Sequence, residues 1–343
     1  MKVLVTANIV PFMTGGAEYH IQGLITQLQR QGHQVESIRF PFWFSPEGDI
    51  LKLMRHCREL NLNQPNGIKI DKLISLQFPA YGVQHDDHRV WIMHQHRSVY
   101  ELFKDHEATA EQQQFRQQVI AFDNEVLGQI PMRFANSRRV AERLLHNNQL
   151  QSTPLYHPPY GFERFYNAAD QAYIFCPSRL ESLKRQDLLI QAARYLTTPV
   201  KIIIAGDGGQ WQSYEALIAK YQFQQRVKLI GHISEKEKLA FYANALAVFF
   251  APFDEDYGYI TLESQLSAKP VITCTDSGGP LEFIEHNDNG FIEEPDAQKI
   301  AAVIDELYTH PQRAREMGQY GLEAYRQKNI SWDNVVNRLL ADQ

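Results

Sequence analysis

Two carboxylates and a glycine lie close together about three-quarters of the way along the chain, at Glu255, Gly258 and Glu263. The apolar residues 246–251 predict a strand before them, and residues 259–268 predict a helix after them. We therefore expect Glu255 in the loop at the carboxyl end of the strand and Glu263 about one turn into the helix. The amides around Gly258 would face an anion with the positive end of the helix dipole. Carboxylates beside an anion site suit a ligand with hydroxyls and phosphate, such as a nucleotide sugar.

Three other constellations are expected at the ends of strands. Arg179 and Lys184 follow the predicted strand 173–176, and both can neutralise a diphosphate, the arginine as a planar fork and the lysine as a point charge. Gly15 and Gly16 occupy a strand-to-helix turn, where the absence of side chains lets the backbone approach a phosphate. His94 directly follows the predicted strand 90–93.

The alternation of strands and helices predicts an α/β protein with two doubly wound parallel sheets. A proline-rich segment at residues 157–161 divides the pattern, which restarts after it. We predict an N-terminal Rossmann-like domain at 1–160 and a C-terminal one at 161–330. For 331–343 we predict a helix, and its return to the N-terminal domain is left open. Two such domains imply a central cleft that both face, because ligands bind at the carboxyl ends of the strands.

The composition excludes several classes of protein. The 343 residues carry a formal net charge of −6, with residues 1–160 close to neutral and the remainder acidic. No broad basic face appears, so we expect no nucleic-acid partner. No apolar run reaches the roughly 18 residues of a membrane-spanning helix. The three cysteines have no metal-like spacing and are interpreted as buried free thiols in a reducing, cytoplasmic compartment.

The stretch at residues 50–60 supports an alternative to a purely cytoplasmic location. On a helix, its apolar residues share one face, and Lys52, Arg55 and Arg58 recur at intervals of three beside that face. Such a helix can lie weakly on an anionic membrane surface, here the inner face. Packing of the same face on the domain's own sheet is the other interpretation.

Other patterns in the sequence suggest chemistries that compete with the nucleotide-sugar hypothesis. Residues 254–256 read Asp-Glu-Asp, a pattern that can bind a metal ion, and residues 85–88 read His-Asp-Asp-His. A metal ion at residues 254–256 would be redundant, because the cationic pair Arg179 and Lys184 already neutralises the diphosphate. The segment 85–88 lacks the helical spacing of a dedicated metal site and fits a polar surface loop. Hydride transfer is disfavoured because no Gly-x-Gly-x-x-Gly follows the first strand.

An ordered set of motifs runs along nearly the whole chain. It comprises Gly-Gly-Ala-Glu at 15–18, His94, Ala-Asn-Ser at 135–137, Ser-Arg-Leu at 178–180 with Lys184, Ile-Ala-Gly-Asp-Gly at 204–208, Leu-Ile-Gly at 229–231, Glu255 with Gly258 and Glu263, and Ser-Gly-Gly-Pro at 277–280. Together these motifs resemble the retaining glycosyltransferases of family 4, which have the GT-B fold. The most specific part is the pair of glutamates with Gly258 between them.

The resemblance implies a donor site on the C-terminal domain for a nucleoside diphosphate sugar, with UDP favoured over GDP. In that site Glu263 would bind the ribose hydroxyls, and Glu255 would bind the donor sugar and stabilise positive charge at its anomeric carbon. The diphosphate would contact cations and amides, namely Arg179, Lys184 and the backbone around Gly15, Gly16, Gly258, Tyr259 and Ile260. His94, on the N-terminal domain, would lie near the donor sugar and the acceptor.

The resemblance further implies a retaining, metal-independent hexosyltransferase of polysaccharide biosynthesis, which uses a saccharide or lipid-linked acceptor and needs no cofactor. The sequence departs from the family pattern at Ser178, where a glycine is usual, and at residues 94–97, which read His-Gln-His-Arg. Two alternatives remain: a nucleotide-sugar epimerase or hydrolase of the same fold, and a nucleotide-sugar-binding protein without turnover.

Overall fold

The computed structural model describes residues 1–12 and 15–342. In the first half of the chain the elements are β1 (Lys2–Ile9), α1 (Gly16–Arg30), β2 (Gln34–Pro41), α2 (Glu47–Glu59), β3 (Lys72–Ser75), β4 (His88–Ile92), α3 (Ala110–Gln129), β5 (Met132–Ala135), α4 (Arg138–Asn148) and β6 (Thr153–Pro154). In the second half they are β7 (Tyr173–Pro177), α5 (Gln186–Ala192), β8 (Lys201–Ala205), α6 (Trp211–Lys220), β9 (Val227–Leu229), α7 (Glu235–Asn244), β10 (Ala247–Phe249), α8 (Tyr259–Leu266), β11 (Val271–Cys274), β12 (Gly290–Glu293), α9 (Ala297–Thr309), α10 (Pro311–Gln327) and α11 (Trp332–Leu340).

The chain forms two structural units, residues 1–157 with 331–343 and residues 158–330. The first unit ends three residues before the sequence-based boundary because His157 is buried in it. The His157 ring lies 5.1 Å from that of Trp91 and 5.5 Å from that of Trp332. The final helix, α11, belongs to the first unit, since its Val335 and Leu339 are buried in the same cluster as β1 and α1.

The first unit contains a six-stranded parallel sheet in the order β2-β1-β3-β4-β5-β6. From β1 the chain moves first to β2 on one side and then to β3 on the other, so a topological switch point lies between β1 and β3. Ser137 caps the start of α4, because its hydroxyl accepts a hydrogen bond from the Val140 amide at 3.0 Å.

The second unit contains another six-stranded parallel sheet, in the order β12-β11-β10-β7-β8-β9. Its switch point lies between β7 and β10, because β8 and β9 extend the sheet to one side and β11 and β12 to the other. Both strands at this point are fully buried, with β7 reading Tyr-Ile-Phe-Cys-Pro and β10 reading Ala-Val-Phe. Such apolar strands are typical of sheets covered on both faces.

The apolar face of α2 packs into the core of the first unit. Its Ile50 and Met54 are buried in a cluster with Phe42 and Tyr81. The apolar surface on which the membrane-contact prediction rests is therefore covered by the protein's own core. Among the residues described, no helix combines the length and apolar character needed to cross a membrane.

The three cysteines are buried and free, as predicted. Burial raises the pKa of the Cys57, Cys176 and Cys274 thiols to about 12. They are therefore protonated at neutral pH and act as small apolar side chains in the core.

Candidate functional site

A cation and a carboxylate meet at the switch point of the second unit. Lys184 ends the short helical turn Ser182–Lys184 that follows β7, and Glu255 follows β10. The carboxyl ends of β7 and β10 share one edge, because the strands pair in parallel. There the Lys184 ammonium forms an ion pair with the Glu255 carboxylate, and the side chains are 17% and 22% exposed. The pair thus lies at the place where doubly wound sheets bind ligands.

Arg179 lies in the same loop as Lys184 and is exposed. Its backbone is fixed, since its carbonyl accepts a hydrogen bond from the Gln186 side chain at 2.9 Å. Within residues 1–12 and 15–342, however, its guanidinium makes no hydrogen bond or ion pair. The structure therefore presents a positioned arginine whose planar fork is available to an anion.

The glycine-rich loop after β8 supports the Arg179 loop by close backbone packing. Gly206 has φ +126°, and a Cβ at this position would lie 1.9 Å from the Ser178 carbonyl oxygen. The Ser178 amide donates to the Ala205 carbonyl at 3.0 Å, and the Leu180 amide donates to the Asp207 carbonyl at 2.9 Å. This glycine motif therefore holds the loop that carries Arg179.

The backbone of Glu255 is bonded to the loop that follows β11. The Glu255 amide donates to the Ser277 carbonyl at 2.9 Å, and the Gly279 amide donates to the Glu255 carbonyl at 2.8 Å. Gly278, between them, has φ +73°, and a Cβ there would lie 2.6 Å from the Glu255 carbonyl oxygen. The Ser-Gly-Gly-Pro motif thus fixes the position of Glu255.

Arg185, in the loop after β7, is bonded to the segment after β10 and to the loop after β11. The sequence pattern does not single it out. Its side chain donates to the Ala251 carbonyl at 2.8 Å and to the Pro252 carbonyl at 2.9 Å. It also forms a two-pronged ion pair with Asp276, at 2.6 and 2.9 Å. This clamp ties the residue after Lys184 to the segment that leads to Glu255. Its position next to Lys184 was the one sequence signal for it.

Gly258 immediately precedes α8 and has φ +84°, a conformation that glycine adopts without strain. A Cβ on it would lie 2.8 Å from the Cγ of Pro280. Tyr259 and Ile260 then form the first two positions of α8. The amides at the start of this helix carry the positive end of its dipole, which is the feature on which the predicted anion site rests.

Glu263 is buried on α8, with 8% of its surface exposed. One carboxylate oxygen accepts from Lys238 Nζ at 3.1 Å, and the other accepts from the Tyr242 hydroxyl at 2.6 Å. Burial alone lowers the pKa of Lys238, but the carboxylates of Glu263 and Glu235 raise it on balance. Glu263 is therefore positioned by two partners, and its remaining lone pairs can accept further hydrogen bonds.

Lys238 and Tyr242 on α7 are functional candidates that the sequence reasoning missed. They are four residues apart and so lie on one face of α7. That spacing was the available signal, but it equally fits a solvated helix face.

In the first unit, His94 follows β4, and its ring nitrogen Nδ1 lies 2.8 Å from the Gln95 carbonyl oxygen. A carbonyl can only accept, so the proton is assigned to Nδ1 and the acceptor lone pair to Nε2. Gly15 and Gly16 lie at the start of α1, after β1. The carboxyl ends of β1 and β4 share one edge of this parallel sheet. Thr14, which precedes these glycines in the sequence motif, lies outside the described residues.

The neighbours of His94 have structural partners. The His96 ring stacks on that of Phe78 with centroids 5.1 Å apart, and its Nε2 lies 3.1 Å from the Ser98 hydroxyl. Burial, with a smaller effect of His94, lowers the pKa of His96 to about 4. Arg97 contacts Glu101 at 4.0 Å. His96 is therefore a neutral member of an aromatic cluster in the first unit.

The metal-like segments of the sequence do not form ligand clusters. In the part of the chain that the structure describes, no group of three or more histidine, cysteine, aspartate or glutamate side chains could hold a metal ion. At residues 85–88, Asp87 pairs with Lys72 at 2.8 Å and with Arg89 at 3.1 Å. His88 is buried on β4 and lies 2.7 Å from the Ser75 hydroxyl. This segment is thus partly interior, whereas the sequence suggested a surface loop.

A family model described as glycosyl transferases group 1 matches residues 162–324, which cover almost the whole second unit. Residues 162–324 belong to the group 1 glycosyltransferases. The chain is 27% identical over 154 residues to the human alpha-1,3/1,6-mannosyltransferase ALG2 and 30% identical over 156 residues to the putative glycosyltransferase EpsD of Bacillus subtilis. The matches cover 41% and 44% of this chain but only 37% and 40% of those relatives' own lengths.

Solved glycosyltransferase structures share the fold of the whole chain. Anabaena HepE, solved in complex with UDP and glucose, matches with a TM-score of 0.71 at 17% identity and covers 98% of this chain and 97% of its own. WaaG, a glycosyltransferase involved in lipopolysaccharide biosynthesis, matches with a TM-score of 0.76 at 13% identity and covers 98% and 100%. The predicted GT-B fold, with its two Rossmann-like parts, is therefore confirmed.

Proposed function

We propose that this protein transfers a sugar from a nucleoside diphosphate sugar to a saccharide or lipid-linked acceptor, with retention of anomeric configuration and without a divalent metal. The observation that carries the proposal is the ion pair of Lys184 with Glu255 at the switch point of the glycosyltransferase domain. A cation for phosphate and a carboxylate for sugar hydroxyls are thereby within reach of one ligand.

In the proposed donor site, Lys184 and Arg179 neutralise the diphosphate, and the amides at the start of α8 and of α1, at Gly16, assist them. The leaving diphosphate gains negative charge as the glycosidic bond breaks, so fixed cations stabilise the transition state more than the ground state. Binding of the diphosphate offers Lys184 a second anion. Glu255 then becomes available to the donor sugar and to positive charge at the anomeric carbon.

Glu263 is proposed to bind the ribose hydroxyls. Its support is the carboxylate held by Lys238 and Tyr242, which is buried, charged and still able to accept hydrogen bonds. UDP is the preferred nucleoside diphosphate because the HepE structure was solved with UDP and glucose. GDP is the second choice. His94 is proposed to act on the donor sugar and acceptor from the first unit.

Two further functions of the same fold are tested by the same assay. An epimerase or hydrolase of nucleotide sugars would use a similar donor site, and a binding protein would use it without turnover. The exposed Arg179 and the ion-paired Glu255 favour a catalytic site over a binding site without turnover, because both can stabilise charge that forms during a reaction. The distinction lies in whether UDP is released in proportion to glycoside formed.

The experiment incubates the protein with UDP-sugars and GDP-sugars and a panel of saccharide and lipid-linked acceptors, in excess chelator. We expect acceptor-dependent release of the nucleoside diphosphate and a product whose anomeric configuration, read by proton NMR, matches that of the donor. UDP release without glycoside would indicate a hydrolase. An inverted product, or activity that manganese or magnesium restores after chelation, would contradict the proposed mechanism.

A further inference from the structure

A buried hydrogen-bond network lies behind the segment that carries His94. Its centre is Asp123 on α3, which is completely buried. One Asp123 oxygen accepts from the Tyr81 hydroxyl at 2.5 Å, and the other accepts from the Tyr100 hydroxyl at 2.7 Å. The amide of Gln95, the residue after His94, approaches the second oxygen at 3.5 Å.

The Gln95 side chain is the link between this network and His94. It is buried, with 2% of its surface exposed. Its amide nitrogen donates to Asn148 at 2.7 Å, and its amide oxygen lies 3.4 Å from Asn147 Nδ2. Asn148 in turn donates to the Tyr100 hydroxyl at 3.3 Å, which closes the network. The Gln95 backbone carbonyl is the acceptor for His94 Nδ1, so fixing this residue fixes the imidazole.

We propose that Asp123 is a positioning residue for His94, which acts through Gln95 to hold the imidazole with its proton on Nδ1 and a free acceptor at Nε2. This role concerns the first unit and not the donor site. Only its activity measurement rests on the proposed function. A buried carboxylate is costly unless several donors satisfy it, and here all of them come from the segments that surround the His94 loop.

The charge state of Asp123 controls this arrangement. Burial raises the pKa of Asp123 to about 6, and the hydrogen bonds from Tyr81, Tyr100 and Gln95 lower it in part. The ionised form accepts from Tyr81, Tyr100 and Gln95, whereas the protonated form must itself donate through one oxygen and so displaces one of these donors. Other ionisable groups near the network are Glu101, which acts on Tyr100, and Arg143, which lies 3.0 Å from Glu101.

The test reads the imidazole directly by nitrogen-15 NMR of the histidines in the full-length protein, with the His94 signals assigned by their loss in His94→Gln. At pH 8 we expect the wild type to show the Nδ1-protonated form of His94. Asp123→Asn should convert it to a mixture of both tautomers. The control Asp87→Asn makes the same substitution in an aspartate of this unit that is ion-paired with Lys72 and Arg89, and it should leave His94 unchanged. A folded Asp123→Asn protein with the wild-type tautomer would overturn the proposal.

Tyr81→Phe provides a second test if Asp123→Asn fails to fold. It removes one hydrogen bond to the ionised carboxylate, so the pKa of Asp123 should rise, and the pH at which the His94 signals change should rise with it. If the tautomer change at His94 occurred at the same pH in Tyr81→Phe as in the wild type, that result would also contradict the proposal. Neither NMR measurement depends on transferase activity.

Activity measurements then separate this proposal from the proposed function. If the protein is a transferase, Asp123→Asn should lower kcat about tenfold, because a misoriented catalytic group raises the barrier by about 1.4 kcal/mol. The donor KM should change less, since the donor site lies on the other unit. Absence of all transferase activity in the wild type would remove the proposed function and leave the NMR result to decide the role of Asp123.

Discussion

Lys184 and Glu255 form an ion pair although 71 residues separate them in the chain. They meet because β7 and β10 are parallel neighbours on either side of the switch point of the second sheet. In the proposed donor site, the diphosphate would compete with the Glu255 carboxylate for Lys184.

Glu255→Gln removes the charge that competes for Lys184. We expect UDP to bind the variant at least as tightly as it binds the wild type, while turnover falls about a hundredfold or more through loss of transition-state stabilisation. Calorimetry with UDP and steady-state kinetics measure the two effects. Glu263→Gln is the comparison and should instead raise the donor KM. If Glu255→Gln weakened UDP binding and spared kcat, the two roles would be reversed.

Tyr242→Phe removes one of the two partners of Glu263. A hydrogen bond to a charged group contributes roughly 1.5–3 kcal/mol, so the orientation of Glu263 should loosen and the donor KM should rise several-fold. Tyr173→Phe is the matched control, since Tyr173 is also buried in this unit but donates to the Phe241 carbonyl at 2.7 Å and lies at the amino end of β7. Equal donor KM values for the two variants would argue against a donor role for Glu263.

Gly206→Ala should displace the Arg179 loop. The new Cβ would meet the Ser178 carbonyl oxygen at 1.9 Å, and the residue would keep φ +126°, which is strained for alanine. We expect a loss of at least about 2 kcal/mol in the free energy of unfolding and weaker UDP binding. Gly209→Ala, in the same loop, meets nothing within 4 Å and should behave as the wild type. Thermal unfolding and calorimetry compare the two, and equal stabilities would show that the loop can relax.

The stability of the first unit should depend on pH through its buried histidines. Burial lowers the pKa of His157 to about 3 and that of His20 well below its ordinary value, and the two rings lie 4.2 Å apart. Unfolding restores a pKa near 6.5, so the unfolded chain binds more protons below that pH. The contribution of the two neutral histidines to the free energy of unfolding is thus complete above pH 6.5. It decreases as the pH falls towards 3, by up to about 1.4 kcal/mol per pH unit for each histidine.

Scanning calorimetry from pH 8 to pH 4 measures this dependence. We expect Tm to decrease below about pH 6 in the wild type. His157→Asn should lower Tm at pH 8 but flatten the decrease, whereas His310→Gln, at an exposed position, should leave both unchanged. A Tm that does not decrease between pH 6.5 and pH 4 would contradict buried neutral histidines.

The sequence predicted those parts of the site that follow directly from apolar strands. Arg179, Lys184 and Glu255 come just after β7 and β10, and parallel strands bring their carboxyl ends to one edge. Lys238, Tyr242 and Arg185 could not be predicted in the same way. Each acts through a contact with a residue distant in sequence, and locally each resembles an ordinary polar residue on a helix or turn.

The same limit applies to the first unit. Asp123 is one of several polar residues on α3, and only the packing of Tyr81, Tyr100 and Gln95 around it reveals that it is buried. The basic stretch at residues 50–60 illustrates another limit. Its pattern fits a membrane surface as well as a domain core, and only the structure shows that Ile50 and Met54 pack in the core.

Calorimetric titration of UDP tests most directly the claim that the switch point of the second unit binds a nucleoside diphosphate. It compares the wild type with Lys184→Ala and with the control Lys201→Ala, which changes an exposed lysine at the start of β8, at the opposite edge of the same sheet. We expect Lys184→Ala to weaken binding by roughly 1.5–3 kcal/mol, the scale of a hydrogen bond to a charged group, and Lys201→Ala to bind as the wild type does. Equal UDP affinities in all three proteins would contradict the assignment.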